Sequence, residues 1–334
     1  MTITEALWRE LDQEGGTGGA GGWLVRRLYP DSEQNIWIGV SRLDGRRRLT
    51  IRAPRPAFLK VAKRLRTLDD VVGIELDVIS ASTLHVVLNS LDLSEPFTAL
   101  ASDLAQRASR STTAKVVDDV LDQYALWRRM LKEVGRSGLG GEARRGLFGE
   151  LYTLRHHLIP AVGAADAVEA WTGPDGTNQD FQLPGCAVEA KCTSNRNPAV
   201  LTISDEKQLD RAGAGRLFLS SVVVDERRGG VGTSLRAIVE EVRNQLPVVL
   251  QADFEQRLAK TGYLGIHAEK YDEPRYTVTG SDVWEVSDGF PCLTVENIPA
   301  GISGCTYRID TRVLAEYACD ADEFRSALRS GSEQ

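Results

Sequence analysis

The sequence predicts an α/β protein of the α+β kind: a mixed sheet flanked by helices, preceded by a separate N-terminal α+β domain. Three observations carry that expectation. Residues 142–246 switch between helical and strand periodicity in the order α-β-β-β-α-β-α. Residues 23–89 hold short strand-like runs punctuated by turn residues. Between these regions lies the glycine-rich break Gly135–Gly141. With 334 residues the chain is long enough for two ordinary domains. The expected division is 1–134 for the N-terminal domain, 135–250 for the mixed-sheet core, and 251–334 for an extension of that core or a separate cap.

Residues 1–14 have the pattern of a short helix, and Gly15–Gly22 reads as a linker. That linker has no Lys-Ser/Thr ending and no preceding strand, so it is not a phosphate-binding loop. Strands are expected at Trp23–Tyr29, Asn35–Ser41 and Arg47–Arg52, with Asp44-Gly45 closing a hairpin. A second pair, Ile74–Ile79 and Thr83–Asn89, flanks Ser80-Ala81-Ser82, and helices follow at Pro96–Arg107 and Ala114–Val134. Past the glycine-rich break come a helix over Glu142–Leu158 and strands at Asp180–Leu183, Ala187–Thr193 and Ala199–Ile203. A short helix from Asp205 is expected next, capped by Ser204. The strand Leu217–Val224 and a helix over Thr233–Leu246 complete a single mixed sheet. The remainder contributes a helix, strands at Tyr276–Val278 and Tyr307–Ile309, and an acidic tail.

Composition, at 42% hydrophobic and 26% charged, is that of a globular protein. No apolar run is long enough to span a bilayer and MTITEALWRE is no signal peptide, so no membrane association and a cytoplasmic location are expected. Five cysteines without a CxxC spacing argue against a disulfide framework and a zinc site; most read as small core residues. Net charge is −7, which does not advertise a nucleic-acid partner. Yet Arg42–Arg66 holds ten basic residues against one acid, and Thr67–Asp103 holds seven acids and no base. Arg46, Arg47 and Arg48 in that run can face phosphates, or can pair with the acids that follow.

The chemistry concentrates around Pro184-Gly185. If this pair is a two-residue hairpin loop, Leu183 faces Cys186 and Asp180 stands opposite Glu189. Opposed side chains lie roughly 4.5–5.5 Å apart, where bare carboxylates repel each other. A divalent cation turns that repulsion into a binding site, because Mg2+ takes one or two carboxylates together with water and substrate phosphates. Proline cannot adopt positive φ at the first turn position, so a longer loop with another register stays open. Strand alternation puts Glu189, Lys191 and Thr193 on one face and Val188, Ala190 and Cys192 on the other. A lysine there can orient or deprotonate an attacking water, or neutralise a phosphate. In the preceding helix Glu150 lies beside the stripe Leu147, Leu151, Leu154 and Leu158, where a carboxylate needs a partner such as a cation or Lys191.

Glu150 on a helix, Asp180 on the next strand and then Glu189-Ala190-Lys191 resemble the PD-(D/E)XK restriction-endonuclease-like superfamily, whose core order is similar to that of residues 142–224. More narrowly, GLFGELYTL, Asn178-Gln179-Asp180-Phe181 and VEAKCTS resemble an uncharacterised bacterial family of that superfamily, found in phage-defence or restriction-type loci near ATPases and methyltransferases. The likeness is strong over the middle third of the chain and weak over the N-terminal domain. It implies that Asp180 and Glu189 hold Mg2+, or Mn2+ in its place, with the Ala190 carbonyl as a further ligand. Lys191 would act on the water, Glu150 would support the metal or the lysine, and Gln208 matches an active-site glutamine of some members. Gln179 stands where the motif has proline; Pro174-Asp175 gives a literal "PD" but lies far from Glu189. His156-His157 read as a helix C-cap. Trp171, Arg144 and Arg145 can meet DNA, or can serve core packing and a solvated helix start.

The expected function is Mg2+-dependent hydrolysis of DNA phosphodiester bonds in a phage-defence or restriction-type system, with ATPase or methyltransferase subunits as partners. The alternative is a catalytically silent nuclease fold that binds DNA or assembles a defence complex.

Overall fold

The computed structural model describes residues 2–13, 22–59, 61–65, 73–79, 81–134, 137–194 and 200–332. Most of the glycine-rich run 15–22, together with Lys60 and Arg66 of the basic stretch, falls outside them. The chain divides into two units: Met1–Gly138 with Leu258–Ile266, and Leu139–Arg257 with His267–Gln334.

The first unit contains α1 (Glu5–Gln13), β1 (Trp23–Leu28), β2 (Asn35–Ser41), β3 (Arg47–Arg52), α2 (Val61–Leu65), β4 (Ile74–Ile79), β5 (Thr83–Leu88), α3 (Ser94–Arg110) and α4 (Val116–Val134). The strands form an antiparallel sheet in the order β1-β2-β3-β5-β4. Asp44-Gly45 makes the β2–β3 turn, with Gly45 at φ +68° where a side chain would be strained. Alternation along the strands gives one apolar face, with Leu28, Ile36, Ile38, Leu49, Ile51, Leu84 and Val86 all buried. Helices α1 and α3 lie on that face, since Arg47, which points the same way, bonds to Glu5 and Thr98.

The second unit contains α5 (Gly141–Thr153), which passes through a π turn at Leu154–Leu158 into α6 (Ile159–Val162), then α7 (Ala164–Ala170), β6 (Phe181–Leu183), β7 (Cys186–Ser194), β8 (Val200–Ile203), β9 (Arg216–Arg227), β10 (Thr233–Ser234), α8 (Leu235–Gln245), most of α9 (Val248–Lys260), β11 (Arg275–Glu285), β12 (Tyr307–Asp310) and α10 (Ala321–Ser332). Its main sheet runs β10-β11-β9-β7-β6, with β7 and β9 parallel and the other pairs antiparallel. One face packs on α5, where Gly149 is required. A Cβ there would stand 2.6 Å from that of Cys192 on β7. The other face carries Ala187, Leu217 and Leu219 into a cluster with Leu201, Ile203, Leu209, Trp284 and Ile309.

Five expectations change. The strand near 200 does not extend the main sheet; β8 pairs with β12. The free edge of β9 goes instead to β11, an eleven-residue strand read from sequence as only Tyr276–Val278. Residues beyond 251 therefore build into the second unit, apart from 258–266. His156 and His157 do not end a helix. The chain continues through the π turn, just where Pro160 cannot donate the hydrogen bond that would keep the α pitch. The helix expected from Asp205 is a run of turns. Gln179 donates its side-chain amide to the Lys207 carbonyl (2.9 Å), and Glu206 accepts from Gly304 and Cys305, so tertiary partners replace helical ones. Of the five cysteines only Cys186 is fully buried.

Candidate metal centre

Pro184-Gly185 is a two-residue turn, and the pairs Leu183–Cys186, Gln182–Ala187 and Phe181–Val188 follow in order. Gly185 at φ +70° after a proline matches a type II turn, which needs positive φ only at its second central position. Proline at the first position therefore fits the short register. Asp180 lies one residue beyond the last pair. Its carbonyl accepts from the backbone N–H groups of Thr172 and Gly173, both at 2.9 Å, and its carboxylate accepts from the Ala190 N–H at 2.8 Å. Within a strand the N–H and C=O of one residue point to the same side, so the Ala190 carbonyl also faces the side where Asp180 sits.

Glu189 projects from the face of β7 that carries Ala187, beside an apolar cluster, and is 1% exposed. Its Oε1 accepts from Lys191 Nζ at 2.7 Å. Its Oε2 is buried with no hydrogen-bond partner among the described residues. Lys191 also donates to Gln208 Oε1 at 3.1 Å, an oxygen that accepts from the Ser204 N–H as well (2.8 Å). Glu150, half-buried on α5, accepts from Trp171 Nε1 at 2.9 Å.

Electrostatics ties the three carboxylates together. Burial raises the Glu189 carboxyl well above its ordinary range, and the nearby Asp180 and Glu150 charges push the same way against Lys191. Burial likewise raises Asp180, opposed by Lys191 and the Ala190 N–H. Glu150 is lifted to about 8, by burial first and by Asp180 second. Three acids, of which Asp180 raises the proton affinity of the other two, around a buried oxygen unbonded among the described residues form a site short of positive charge.

These residues fit a hard divalent cation. The candidate donors are all oxygens, and Glu189 Oε2 has no hydrogen-bond partner among the described residues. Among the described residues no three His, Cys, Asp or Glu side chains enclose an ion by themselves.

The other candidates separate. Arg47 forms a two-pronged pair with Glu5 (2.6 and 2.7 Å) and lies over Trp8, so it is a structural residue of the first unit. Arg46 pairs with Asp44 at 2.6 Å and Arg64 with Asp118 at 3.0 Å. The basic run is thus partly neutralised, though mostly by acids outside Thr67–Asp103. Arg144 donates to the carbonyls of Leu139, Lys270 and Glu273, and Arg145 pairs with Glu226. Both arginines hold the fold together. Among the described residues Arg48 has no carboxylate partner, and it lies over Trp23. Asp175 of the literal "PD" pairs with Arg257 at 3.2 Å. Trp171 is fully buried, its ring serving Glu150 rather than a surface. Sequence reasoning missed that role, and missed the Thr172-Gly173 backbone that grips Asp180, since both need contacts across a loop.

No curated protein and no solved structure matches the chain. A family model described as "Putative PD-(D/E)XK family member" matches residues 4–312, and the chain belongs to that family.

Proposed function

We propose that this protein, whose family implies a nuclease-like fold, is a Mg2+-dependent endonuclease that hydrolyses DNA phosphodiester bonds. The observation carrying the reading is Glu189 Oε2, a buried carboxylate oxygen with no hydrogen-bond partner among the described residues, set among Asp180, Glu150 and Lys191. Asp180, Glu189 and the Ala190 carbonyl would hold the ion. When bound, it would neutralise the carboxylates and polarise the scissile phosphate and its attacking water. Lys191 is the one cation close to Glu189 among the described residues, and it would position that water or stabilise the charge growing on phosphorus. Gln208 fixes the lysine head, and Trp171 fixes Glu150, which would support the metal or the lysine.

The finer setting belongs to the same proposal: a cytoplasmic protein of a phage-defence or restriction-type system, working beside ATPase or methyltransferase subunits. Among the described residues no helix is long and apolar enough to cross a membrane. One observation favours a second reading, a silent nuclease fold that serves assembly. Arg46, Arg47, Arg144 and Arg145 are occupied by internal partners in a chain of net charge −7, so DNA affinity would come from elsewhere.

Supercoiled and linear DNA incubated with purified protein decides between them. The enzyme reading expects cleavage in Mg2+ or Mn2+ that EDTA stops and that Asp180→Asn or Glu189→Gln removes. Binding without cleavage, or undiminished cleavage by either variant, would contradict it.

A further inference from the structure

The arginines of β3 divide by parity, and the division points to a second binding surface. Arg47 faces the helices and has a carboxylate; Arg48 and Arg52 face the opposite side of the sheet. Register across the strands puts Trp23, Val25 and Arg27 of β1, and Asn35 and Trp37 of β2, on that same side as Arg48, Thr50 and Arg52. None of Arg27, Arg48 and Arg52 has an ion pair among the described residues, whereas their inward neighbours Arg26 and Arg47 are both paired with acids of α1. Two of the three, Arg27 and Arg52, are exposed.

Arg48 is the instructive member. Its side chain lies across Gly39, whose Cβ, if present, would sit 3.3 Å from Nε. The guanidinium then covers the Trp23 ring at 4.2 Å. Burial first and the neighbouring Arg52 second lower the proton affinity of this half-buried guanidinium, whose contact with Trp23 is an aromatic face rather than a carboxylate. Beneath these groups Thr50 and His85 bond to each other at 2.8 Å, giving a polar floor. The acids of this face, Glu75 and Asp77, are confined to the edge strand β4, so β1–β3 form its positive half.

We infer that the β1–β3 face bearing Trp23, Trp37, Arg27, Arg48 and Arg52 binds a single-stranded nucleic acid. Guanidiniums engage phosphates, the partly exposed indole rings of Trp23 and Trp37 can stack on bases, and a single strand presents splayed bases that a duplex does not. Arg48 and Arg52 lie four residues apart on one strand, about 13 Å, a span of a few nucleotides. The surface belongs wholly to the first unit and does not depend on the metal site being catalytic.

The test is fluorescence anisotropy of the full chain with a labelled oligodeoxythymidine, in EDTA, across a salt series. Wild type should bind, and log affinity should fall with log salt by about 0.7 per phosphate engaged. Arg27→Ala with Arg48→Ala and Arg52→Ala should weaken binding at least tenfold and flatten the slope by about two. Arg52→Glu alone, at an exposed position, should weaken binding where the triple variant fails to fold. Arg46→Ala, whose partner is Asp44, should leave the slope unchanged. No binding by wild type, a wild-type slope in folded triple variant, unchanged binding by Arg52→Glu, or tighter binding of the matching duplex would each overturn the inference.

Discussion

Asp103 in the first unit and Glu189 in the second are both buried carboxylates, 4% and 1% exposed, yet the protein treats them in opposite ways. Asp103 accepts from Gln123 Nε2 at 2.6 Å and Trp127 Nε1 at 2.7 Å, and Lys260 Nζ lies 2.5 Å from its second oxygen. Glu189 has Lys191 on one oxygen and nothing on the other, and its remaining charged neighbours are two more acids. The first arrangement completes a fold, because a buried charge needs its partners to be tolerated at all. The second leaves a deficit of positive charge that the fold itself does not fill. Burial of an acid is therefore uninformative about function until its partners are counted.

The largest expected effect separates the two sites by activity. Asp180→Asn, Glu189→Gln or Lys191→Ala should each lower DNA cleavage on the order of 10⁴-fold, the scale for groups that act as one unit. Asp103→Ala, assayed below its unfolding temperature, should cleave at close to the wild-type rate. A Glu189→Gln protein that retains full activity would erase the distinction.

Stability should separate them in reverse. Asp103→Ala removes the buried carboxylate paired with Lys260 and should cost on the order of 3–5 kcal/mol in urea unfolding of the first unit. Glu189→Gln relieves repulsion among acids, so the metal-free protein should unfold no more easily than wild type and could gain stability. Equal losses in both variants would mean that Glu189 is as structural as Asp103.

How much of this was legible in the sequence depends on the range of the interaction. The β6–β7 hairpin was legible because Pro184-Gly185 and strand alternation are local, and they bring Asp180 and Glu189 together without any distant contact. The helix stripe that flanks Glu150 was legible for the same reason. Arg47 was not, because its partner Glu5 comes from another element 42 residues away. Nor were Trp171, the turns around Gln208 or the full length of β11, each fixed by a contact between distant segments. The family match over residues 4–312 reaches well past the middle third where the motifs lie, so the N-terminal unit belongs to the same family pattern.

A smaller effect sharpens the comparison thermodynamically. Divalent cation should stabilise the second unit by mass action, about 2.7 kcal/mol at a hundred times its Kd, and Glu189→Gln should abolish that gain. A thermal shift of equal size in the variant would place the ion elsewhere.

The two units should also differ in pH dependence. Glu150 rises from 4.5 to about 8 on folding, and Asp180 and Glu189 shift the same way, so the folded state keeps protons that the unfolded state has released. Their contribution to metal-free stability should fall as pH rises from about 4.5 through about 8, and Glu150→Gln should flatten that limb. His85 works oppositely. Burial lowers it from 6.5 to about 4, so the first unit should lose stability as pH falls through that interval. His157 is lowered to about 4 as well and adds an acid limb to the second unit, which leaves the alkaline limb as the diagnostic one. Thermal unfolding from pH 4 to 9, in EDTA and then in Mg2+, reads both limbs.

The central claim is that Asp180 and Glu189 share a divalent cation, and a crystal soaked in Mn2+ tests it most directly through anomalous scattering. The account predicts a peak within bonding distance of both carboxylates, with Glu189 Oε2 turned to it and Lys191 still on Oε1. A well-ordered crystal at saturating Mn2+ with no peak there, and Glu189 Oε2 still bonded to nothing, would contradict it.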